Sequence, residues 1–329
     1  MLQPAIRKVV IPVAGLGTRL LPATKSQPKE MLPVGRRPVV QYVVEEVEAA
    51  GVNQILFVTG RKKTAIEDHF DTDPELVRLL SSGGGYALLE ELAYTETEAR
   101  FYYTRQSEPR GLADAVYHGR EFVGQDHFVV ALGDSIIKNS NGGSFLHKMI
   151  AAHLASGAAC TVAVEEVDPD EAYRYGIVKP AAGQTDSDDF AVEDLIEKPQ
   201  PGTAPSNLAI AARYVFSPVI FDAISRTAPD RKGERRLRLV VRQVCRKRLG
   251  ERERLGDCHQ RQKLAVGKRV EREFSSLTDA NNLPVYHLSQ VAAALAGALG
   301  GLVVVVGNLI RVVMPVDGLY FGVGLHIIC

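Results

Sequence analysis

The sequence has few cysteines and no overall charge. Its four cysteines, at positions 160, 245, 258 and 329, include no Cys-x-x-Cys pair and no paired spacing, so nothing indicates a disulfide framework. The first residues do not resemble a signal peptide, and we expect a reduced, cytoplasmic setting. Basic and acidic residues are equal in number, 39 of each. The overall charge therefore favours neither nucleic acid nor a membrane surface, and we expect neither as a partner.

Two common phosphate-binding motifs are also missing. A dinucleotide-binding fingerprint has a third glycine at the start of its helix, and that place holds Leu20 here. A Walker A loop has Gly-Lys-Ser or Gly-Lys-Thr after four spacer residues, and the sequence contains no such run. Two frequent classes of nucleotide site are therefore excluded.

What the sequence does contain is an apolar strand followed by a glycine-rich, basic loop. Lys8–Ala14 is rich in β-branched residues, which predicts a buried parallel strand. Gly15 and Gly17 follow, and glycines there let a ligand approach the main chain closely. Three cations come next, namely Arg19, Lys25 and Lys29. Cations on a loop at the carboxyl end of a strand suit a triphosphate.

Strand-like and helix-like segments alternate along the first two thirds of the chain. Further strands are predicted at residues 54–59, 100–105, 127–132, 159–167, 173–179, 190–199 and 208–216. Helices are predicted at residues 38–51, 64–80, 112–122, 144–157 and 218–227. This alternation predicts an α/β fold, a doubly wound Rossmann-like sheet with helices on both faces and ligands over the carboxyl ends of its strands. The basic loop, Gln106 with Gly111, and Asp134 all fall at such ends, so we expect them at one edge.

Residues 15–33 have a more specific pattern, Gly-x-Gly-Thr-Arg-Leu-x-Pro-x-Thr-Lys-x-x-Pro-Lys-Glu-Met-Leu-Pro; we call them the signature loop. This string resembles the signature of the sugar-phosphate nucleotidyltransferases, and in detail that of the bacterial UTP–glucose-1-phosphate uridylyltransferases. Residues 65–76, Ala-Ile-Glu-Asp-His-Phe-Asp-Thr-Asp-Pro-Glu-Leu, are also similar to that branch. The resemblance covers about residues 5–230.

The resemblance implies a reaction, a cofactor and a set of site residues. A phosphate oxygen of glucose 1-phosphate would attack the α-phosphorus of UTP and release pyrophosphate, with Mg²⁺ as cofactor. The implied catalytic residues are Arg19, Lys29 and Lys198. The implied nucleotide-binding residues are Ala14, Gly15, Gly17, Thr18, Lys25, Gln106 and Gly111. Gly176, Glu197 and Asn207 would bind the sugar, and Asp134 would bind the metal.

Several of these positions have plainer interpretations. Asp134 follows a glycine at a strand end, where aspartate often only forms a turn. Gln106, taken by itself, could be a solvated loop residue. Residues 111–114 are Gly-Leu-Ala-Asp, whereas uridylyltransferases continue Gly-Leu-Gly-His. Gly-Leu-Ala is closer to the related thymidylyltransferases, so glucose-1-phosphate thymidylyltransferase is an alternative function.

The resemblance ends near residue 230, and we predict a nucleotidyltransferase domain at 1–230 and an atypical region at 231–329. Residues 231–272 contain 16 basic residues against 5 acidic ones. The family's Gly-Gly-Glu-x-Gln-x-Thr-Asp helix is replaced from Lys232 onward, and no Asp-x-Gly follows to complete the metal site. A frame shift in the gene would explain this change, and resequencing around codon 231 tests that hypothesis. A nucleotide-binding but catalytically impaired relative is therefore a second alternative.

Residues 288–310 are uncharged, and a run of this length could span a bilayer. Because alanine- and glycine-rich segments insert weakly, we expect an incidental or buried segment instead. The oligomeric state is left open, with a homo-oligomer as one option.

Overall fold

The computed structural model describes residues 6–137, 144–181 and 189–244, together with the backbone of short strands between residues 265 and 326. The chain divides into two compact units, Met1–Phe274 and Ser275–Cys329. The first unit extends past residue 230 because a strand at Ala265–Arg269 joins its sheet. The end of the nucleotidyltransferase domain at residue 230 stays a prediction.

The first unit is built on strands, α-helices and short 3-10 turns. Its strands are β1 (Lys8–Pro12), β2 (Pro33–Val34), β3 (Arg37–Pro38), β4 (Gln54–Thr59), β5 (Arg100–Arg105), β6 (Phe128–Ala131), β7 (Ser135–Ile137), β8 (Cys160–Glu166), β9 (Gly176–Pro180), β10 (Asp189–Glu197), β11 (Leu208–Phe216) and β12 (Ala265–Arg269). Its helices are α1 (Val39–Ala49), α2 (Thr64–Phe70), α3 (Pro74–Ser82), α4 (Tyr86–Glu91), α5 (Leu112–Tyr117), α6 (Arg120–Val123), α7 (Phe145–Ser156) and α8 (Val219–Arg226). Residues 237–244 are also helical.

Nine of these strands form one sheet in the order β5-β4-β1-β6-β11-β8-β12-β10-β9. Strands β5, β4, β1 and β6 are parallel, whereas β11 runs antiparallel to both β6 and β8. Successive residues of β1 enter opposite cores: Val10 packs in one buried cluster, and Val9 and Ile11 pack in the other. Helices α5 and α8 contribute to the first cluster, and α1 and α7 to the second. The predicted doubly wound α/β fold is therefore confirmed.

Two predicted helices are each divided in two. The one predicted over residues 112–122 forms α5, which ends at Tyr117, and α6, which begins at Arg120. We expected a single helix over residues 64–80, but α2 ends at Phe70 and α3 begins at Pro74. Proline lacks the N–H that would continue a helix, and it is favoured at the first helical position. The Asp73 carboxylate caps the new helix by accepting hydrogen bonds from the backbone N–H groups of Glu75 and Leu76.

The arginine-rich stretch begins with a helix that packs on the core. Leu237, Val240, Val241 and Val244 are all buried there and belong to the same cluster as α5 and α8. Their spacing of three and four residues places them on one helix face. Residues 245–264 and 270–272 of the basic region 231–272 lie outside the described residues.

The second unit contains an antiparallel meander of β14 (Leu302–Val306), β15 (Leu309–Val316) and β16 (Leu319–His326); β13 (Phe274–Ser276) lies at the unit boundary. Residues 288–301 and 307–308 of the uncharged run lie outside the described residues, and the other residues of the run contribute to β14 and β15. Within the described ranges, no helix has the length and apolar character needed to cross a bilayer.

Two histidines link α7 to the sheet and make stability depend on pH. His153 is fully buried, and its ring nitrogens lie 2.8 Å from His127 Nδ1 and 2.8 Å from Thr161 Oγ1. Burial, together with the neighbouring His127, lowers the pKa of His153 to about 3. In the unfolded chain this pKa is about 6.5. Between these two pH values His153 is protonated in the unfolded chain but neutral in the folded one. Its effect on the free energy of unfolding is therefore absent above about pH 6.5, and the folded state loses stability as the pH falls below that value.

We therefore expect acidification to destabilise the wild-type chain more than a His153→Gln variant. Between about pH 7.5 and about pH 5.5 the excess loss in the free energy of unfolding should be about 1 kcal/mol. Urea unfolding at both pH values measures it. His147→Gln, an exposed position on the same helix, is the control and should retain the wild-type dependence. Equal losses in the wild type and His153→Gln would contradict the expectation.

Candidate active site

The signature loop folds back on itself after β1. Gly17 has a left-handed backbone, with φ of 66°, which glycine adopts without strain. The Thr24 hydroxyl donates a hydrogen bond to the Gly17 carbonyl at 2.7 Å. A Cβ on Gly17 would lie 3.2 Å from Thr24 and 3.3 Å from the Cβ of Lys29. The side chain of Lys29 also passes over Gly15, 3.4 Å from where a Cβ would stand. The two glycines thus allow the loop to close around Lys29.

Lys29 forms an ion pair with Asp134, which follows β6. Sheet order places β1 and β6 side by side and parallel, so their carboxyl ends meet at one edge. Burial lowers the pKa of Lys29, but the carboxylates of Asp134 and Glu30 outweigh it and the pKa is raised overall. Lys29 is therefore held as a cation at this edge. The structure brings together one predicted catalytic residue and the predicted metal ligand.

A second ion pair, between Glu30 and Lys63, is buried next to the Lys29–Asp134 pair. Glu30 is 1% exposed, and its carboxylate lies 2.7 Å from the ammonium of Lys63, which precedes α2. Burial raises the pKa of Glu30, although Lys63 and Lys29 oppose that shift. Separating a buried pair would leave an uncompensated charge, which is costly. The contact with Lys63 therefore holds Glu30, the loop residue next to Lys29, in place.

The remaining signature-loop residues differ in exposure. Thr18, Arg19 and Lys25 are exposed, and Ala14 is half-buried at the beginning of the loop. Arg19 is close enough to Lys29 to act against the charge on its ammonium group. These side chains are consequently accessible to an anionic ligand.

The predicted base-binding residues meet at the end of β5. Gln106 is 5% exposed, and its Nε2 donates a hydrogen bond to Asp114 Oδ2 at 2.7 Å. Since an ionised carboxylate only accepts hydrogen bonds, Asp114 fixes which end of the Gln106 amide faces it. Gly111 has a φ of 92°, and a Cβ there would lie 2.7 Å from the carbonyl oxygen of Arg235. Asp114 and Arg235 are residues at which this sequence differs from the uridylyltransferase pattern, and both contact the predicted base site.

Segment 235–238 is tied to this site through its backbone. The N–H of Arg235 donates to the carbonyl of Arg110 at 2.8 Å, and its carbonyl accepts from the N–H of Ala113 at 3.0 Å. The chain beyond residue 230 thus contributes directly to the site, which the sequence did not indicate.

The predicted sugar-binding residues lie mainly on β9 and β10. Gly176 and Glu197 stand opposite each other in the register of these two strands. Lys198 follows with a left-handed φ of 43° and an exposed side chain, and its N–H donates to the carbonyl of Tyr175 at 3.0 Å. Asn207 precedes β11, and its carbonyl accepts from the N–H of Val167 at 2.9 Å. Gly176, Glu197 and Lys198 are therefore brought together, whereas Asn207 is placed by a separate contact.

A buried arginine that we did not predict supports Asp134. Arg213 on β11 is fully buried, and its Nη2 lies 2.6 Å from Glu46 Oε2 of α1. The same nitrogen donates to the carbonyl of Ser135 at 2.9 Å. Arg213 therefore holds the residue adjacent to Asp134. A basic residue inside the otherwise apolar run 208–216 was the available signal.

Comparisons with known proteins identify the family. The family model described as "Nucleotidyl transferase" matches residues 8–268. The chain belongs to the nucleotidyltransferase family. The resemblance that we inferred from the sequence is therefore confirmed, and the matched region ends beyond residue 230.

The chain is similar to named nucleotidyltransferases over most of its length. A UTP–glucose-1-phosphate uridylyltransferase of Staphylococcus saprophyticus is 44% identical over 241 residues, which is 73% of this chain and 82% of the relative. The UTP-bound UGPase of Acinetobacter baumannii is 32% identical with a TM-score of 0.73, covering 89% of this chain and 94% of that one. A UDP-glucose pyrophosphorylase complexed with UDP-glucose is 29% identical with a TM-score of 0.71, covering 89% and 99%.

Proposed function

We propose that this nucleotidyltransferase transfers a uridylyl group from UTP to glucose 1-phosphate, giving UDP-glucose and pyrophosphate. The observation that carries the proposal is the signature loop, which closes around Lys29 and pairs it with Asp134. A cation and a carboxylate at one sheet edge suit a triphosphate and its metal ion. The relatives named for this reaction, and those with UTP or UDP-glucose bound, supply the substrate identities.

The chemistry requires alignment and charge neutralisation more than proton transfer. The phosphate of glucose 1-phosphate is ionised at neutral pH, so its oxygen can attack the α-phosphorus of UTP without a general base. Lys29 and Arg19 would hold the leaving pyrophosphate, and Lys198 would neutralise the incoming sugar phosphate. The backbone of Ala14, Gly15, Gly17 and Thr18, with the Lys25 side chain, would bind the triphosphate.

The base and the hexose would be recognised at separate places. Gln106 would present its amide carbonyl to the pyrimidine, because Asp114 engages the amide nitrogen. Gly111 and the backbone of Arg235 that packs on it would border the base. Glu197 would accept hydrogen bonds from sugar hydroxyls, Gly176 would leave room for the ring, and Asn207 would complete that site.

The residues present fit a magnesium ion shared with the substrate. Within the described ranges, no three His, Cys, Asp or Glu side chains gather into a site that could hold a metal by themselves. Mg²⁺ is commonly held by one or two carboxylates plus substrate phosphates, and Asp134 supplies one such carboxylate. When bound, the ion would neutralise triphosphate charge. Lys29, already paired with Asp134, keeps that carboxylate oriented toward the loop.

The choice between UTP and dTTP tests the proposal against its nearest alternative. The Gly-Leu-Ala-Asp run at 111–114 favours the thymidylyltransferase alternative, but the backbone of Arg235 packs directly on Gly111. dTTP differs from UTP by an extra 5-methyl group on the base and by the missing 2′-hydroxyl of the ribose. A tightly packed base site discriminates against the methyl group alone by about tenfold or more. We expect kcat/KM for UTP to exceed that for dTTP by at least about this factor.

Pyrophosphate release by the full chain with each donor, Mg²⁺ and glucose 1-phosphate measures this preference. A preference for dTTP would support the thymidylyltransferase instead. Binding of UTP without turnover of either donor would support the alternative of a catalytically impaired relative. That alternative rests on the missing Asp-x-Gly string.

A further inference from the structure

The helix at residues 237–244 places an arginine inside the predicted sugar site. Arg238 lies at the first turn of this helix, and its Nη1 is 2.7 Å from Glu197 Oε2. Its guanidinium also donates a hydrogen bond to the buried hydroxyl of Tyr214 on β11. Two partners therefore hold the guanidinium, and the carboxylate proposed to accept sugar hydroxyls is already engaged.

The same side chain covers the glycine that would leave room for the hexose. A Cβ on Gly176 would lie 2.7 Å from Cδ of Arg238 and 2.9 Å from its Nη1. The narrow cleft that remains between Gly176, Glu197 and Arg238 has no space for a water molecule. The space above Gly176 is therefore filled by Arg238 and not open.

A second arginine adds to the charge at Glu197. Arg236 Nη1 lies 3.7 Å from Glu197 Oε1, while its Nη2 is held by Asp230 at 2.8 Å. Glu197 is thus paired with two cations, and losing either partner leaves part of its charge uncompensated. A hexose hydroxyl carries no charge, so it would replace an ion pair by a single hydrogen bond.

We propose that Arg238 limits binding of the acceptor sugar, because its side chain occupies the place of the hexose and must leave Glu197 before a sugar can bind. This inference rests on the proposed function. It assigns the restriction to the sugar site alone, since Arg238 has no described contact with Lys29, Asp134 or Gln106.

The test compares the affinities of UDP and UDP-glucose, which differ by the hexose. In the full chain we expect nearly equal affinities by calorimetry, because the glucose gains no contact with an occupied site. Arg238→Thr introduces the residue found at this place in the family's Gly-Gly-Glu-x-Gln-x-Thr-Asp helix. We expect this variant to bind UDP-glucose more tightly than UDP by about tenfold or more. Arg238→Gln, which keeps most of the side-chain length without the charge, should give an intermediate ratio.

Arg242→Thr is the matched control. Arg242 lies one turn further along the same helix and pairs with Asp194 at 2.8 Å, so its removal should leave the affinity ratio unchanged. An unchanged ratio in both Arg238 variants, with circular dichroism spectra like that of the wild type, would overturn the inference. So would a wild-type chain that already prefers UDP-glucose by tenfold. Failure of every folded variant to bind UDP or UTP would instead remove the proposed function, and this inference with it.

Discussion

Asp134→Asn should lower the rate of pyrophosphate release by about 100- to 1,000-fold, the usual cost of removing one electrostatic contact to a reacting group. The change keeps the size of the side chain but removes the charge that pairs with Lys29 and that would hold Mg²⁺. Initial rates at saturating UTP, Mg²⁺ and glucose 1-phosphate measure the loss.

The control for this variant is Asp126→Asn. Asp126 is 65% exposed in its side chain and pairs with Lys8 at 2.7 Å, at the opposite end of β6. Its replacement removes the same charge without touching the signature loop, so the rate should stay within about twofold because surface pairs contribute little. A rate for Asp134→Asn as high as that of the control would show that Asp134 only forms a turn.

Arg213→Met should lower the free energy of unfolding by about 3–5 kcal/mol, the range for breaking a buried ion pair from one side. The substitution leaves the Glu46 carboxylate without its partner in a site where its side chain is only 13% exposed. It also removes the hydrogen bond to the carbonyl of Ser135. Denaturant unfolding of the full chain measures this difference.

An exposed ion pair that also involves a glutamate of α1 provides the comparison. Arg37 lies 3.1 Å from Glu45, and both side chains are exposed to solvent. Arg37→Met should cost less than about 1 kcal/mol. Adding Glu46→Gln to Arg213→Met should restore part of the lost stability, because the unpaired charge is then removed. Equal costs for Arg213→Met and Arg37→Met would refute a structural role for the buried pair.

The elements that the sequence predicted well are those whose pattern is local. Gln54–Thr59, Arg100–Arg105 and Leu208–Phe216 were predicted with the bounds that the structure shows. Each is a short run rich in β-branched or aromatic residues, which favours strands independently of distant contacts. The placement of Asp134 beside the signature loop could also be predicted, because parallel strands β1 and β6 end at the same edge.

The contacts that the sequence could not predict join segments far apart in the chain. Arg213 was one basic residue in an apolar run, and only the sheet order shows that it reaches Glu46 on α1. Arg238 belonged to a stretch that we set apart because of its charge. Its helical start packs on the core, and this brings the guanidinium to Glu197. Such pairings depend on tertiary packing, which local sequence patterns do not encode.

The division of the predicted 64–80 helix is a different case. The sequence did contain the signal, since Asp73 and Pro74 form a capping pair that starts a new helix. The apolar and charged periodicity across residues 64–80 concealed the break. Here the local turn chemistry outweighed the longer pattern.

Phosphorus NMR of the purified 329-residue chain with UTP, Mg²⁺ and glucose 1-phosphate tests uridylyl transfer most directly, because it identifies both products. We expect the diphosphate signals of UDP-glucose and the signal of pyrophosphate to appear in equal amounts. Unchanged spectra from a chain that binds UTP, or release of inorganic phosphate in place of pyrophosphate, would contradict the proposed function.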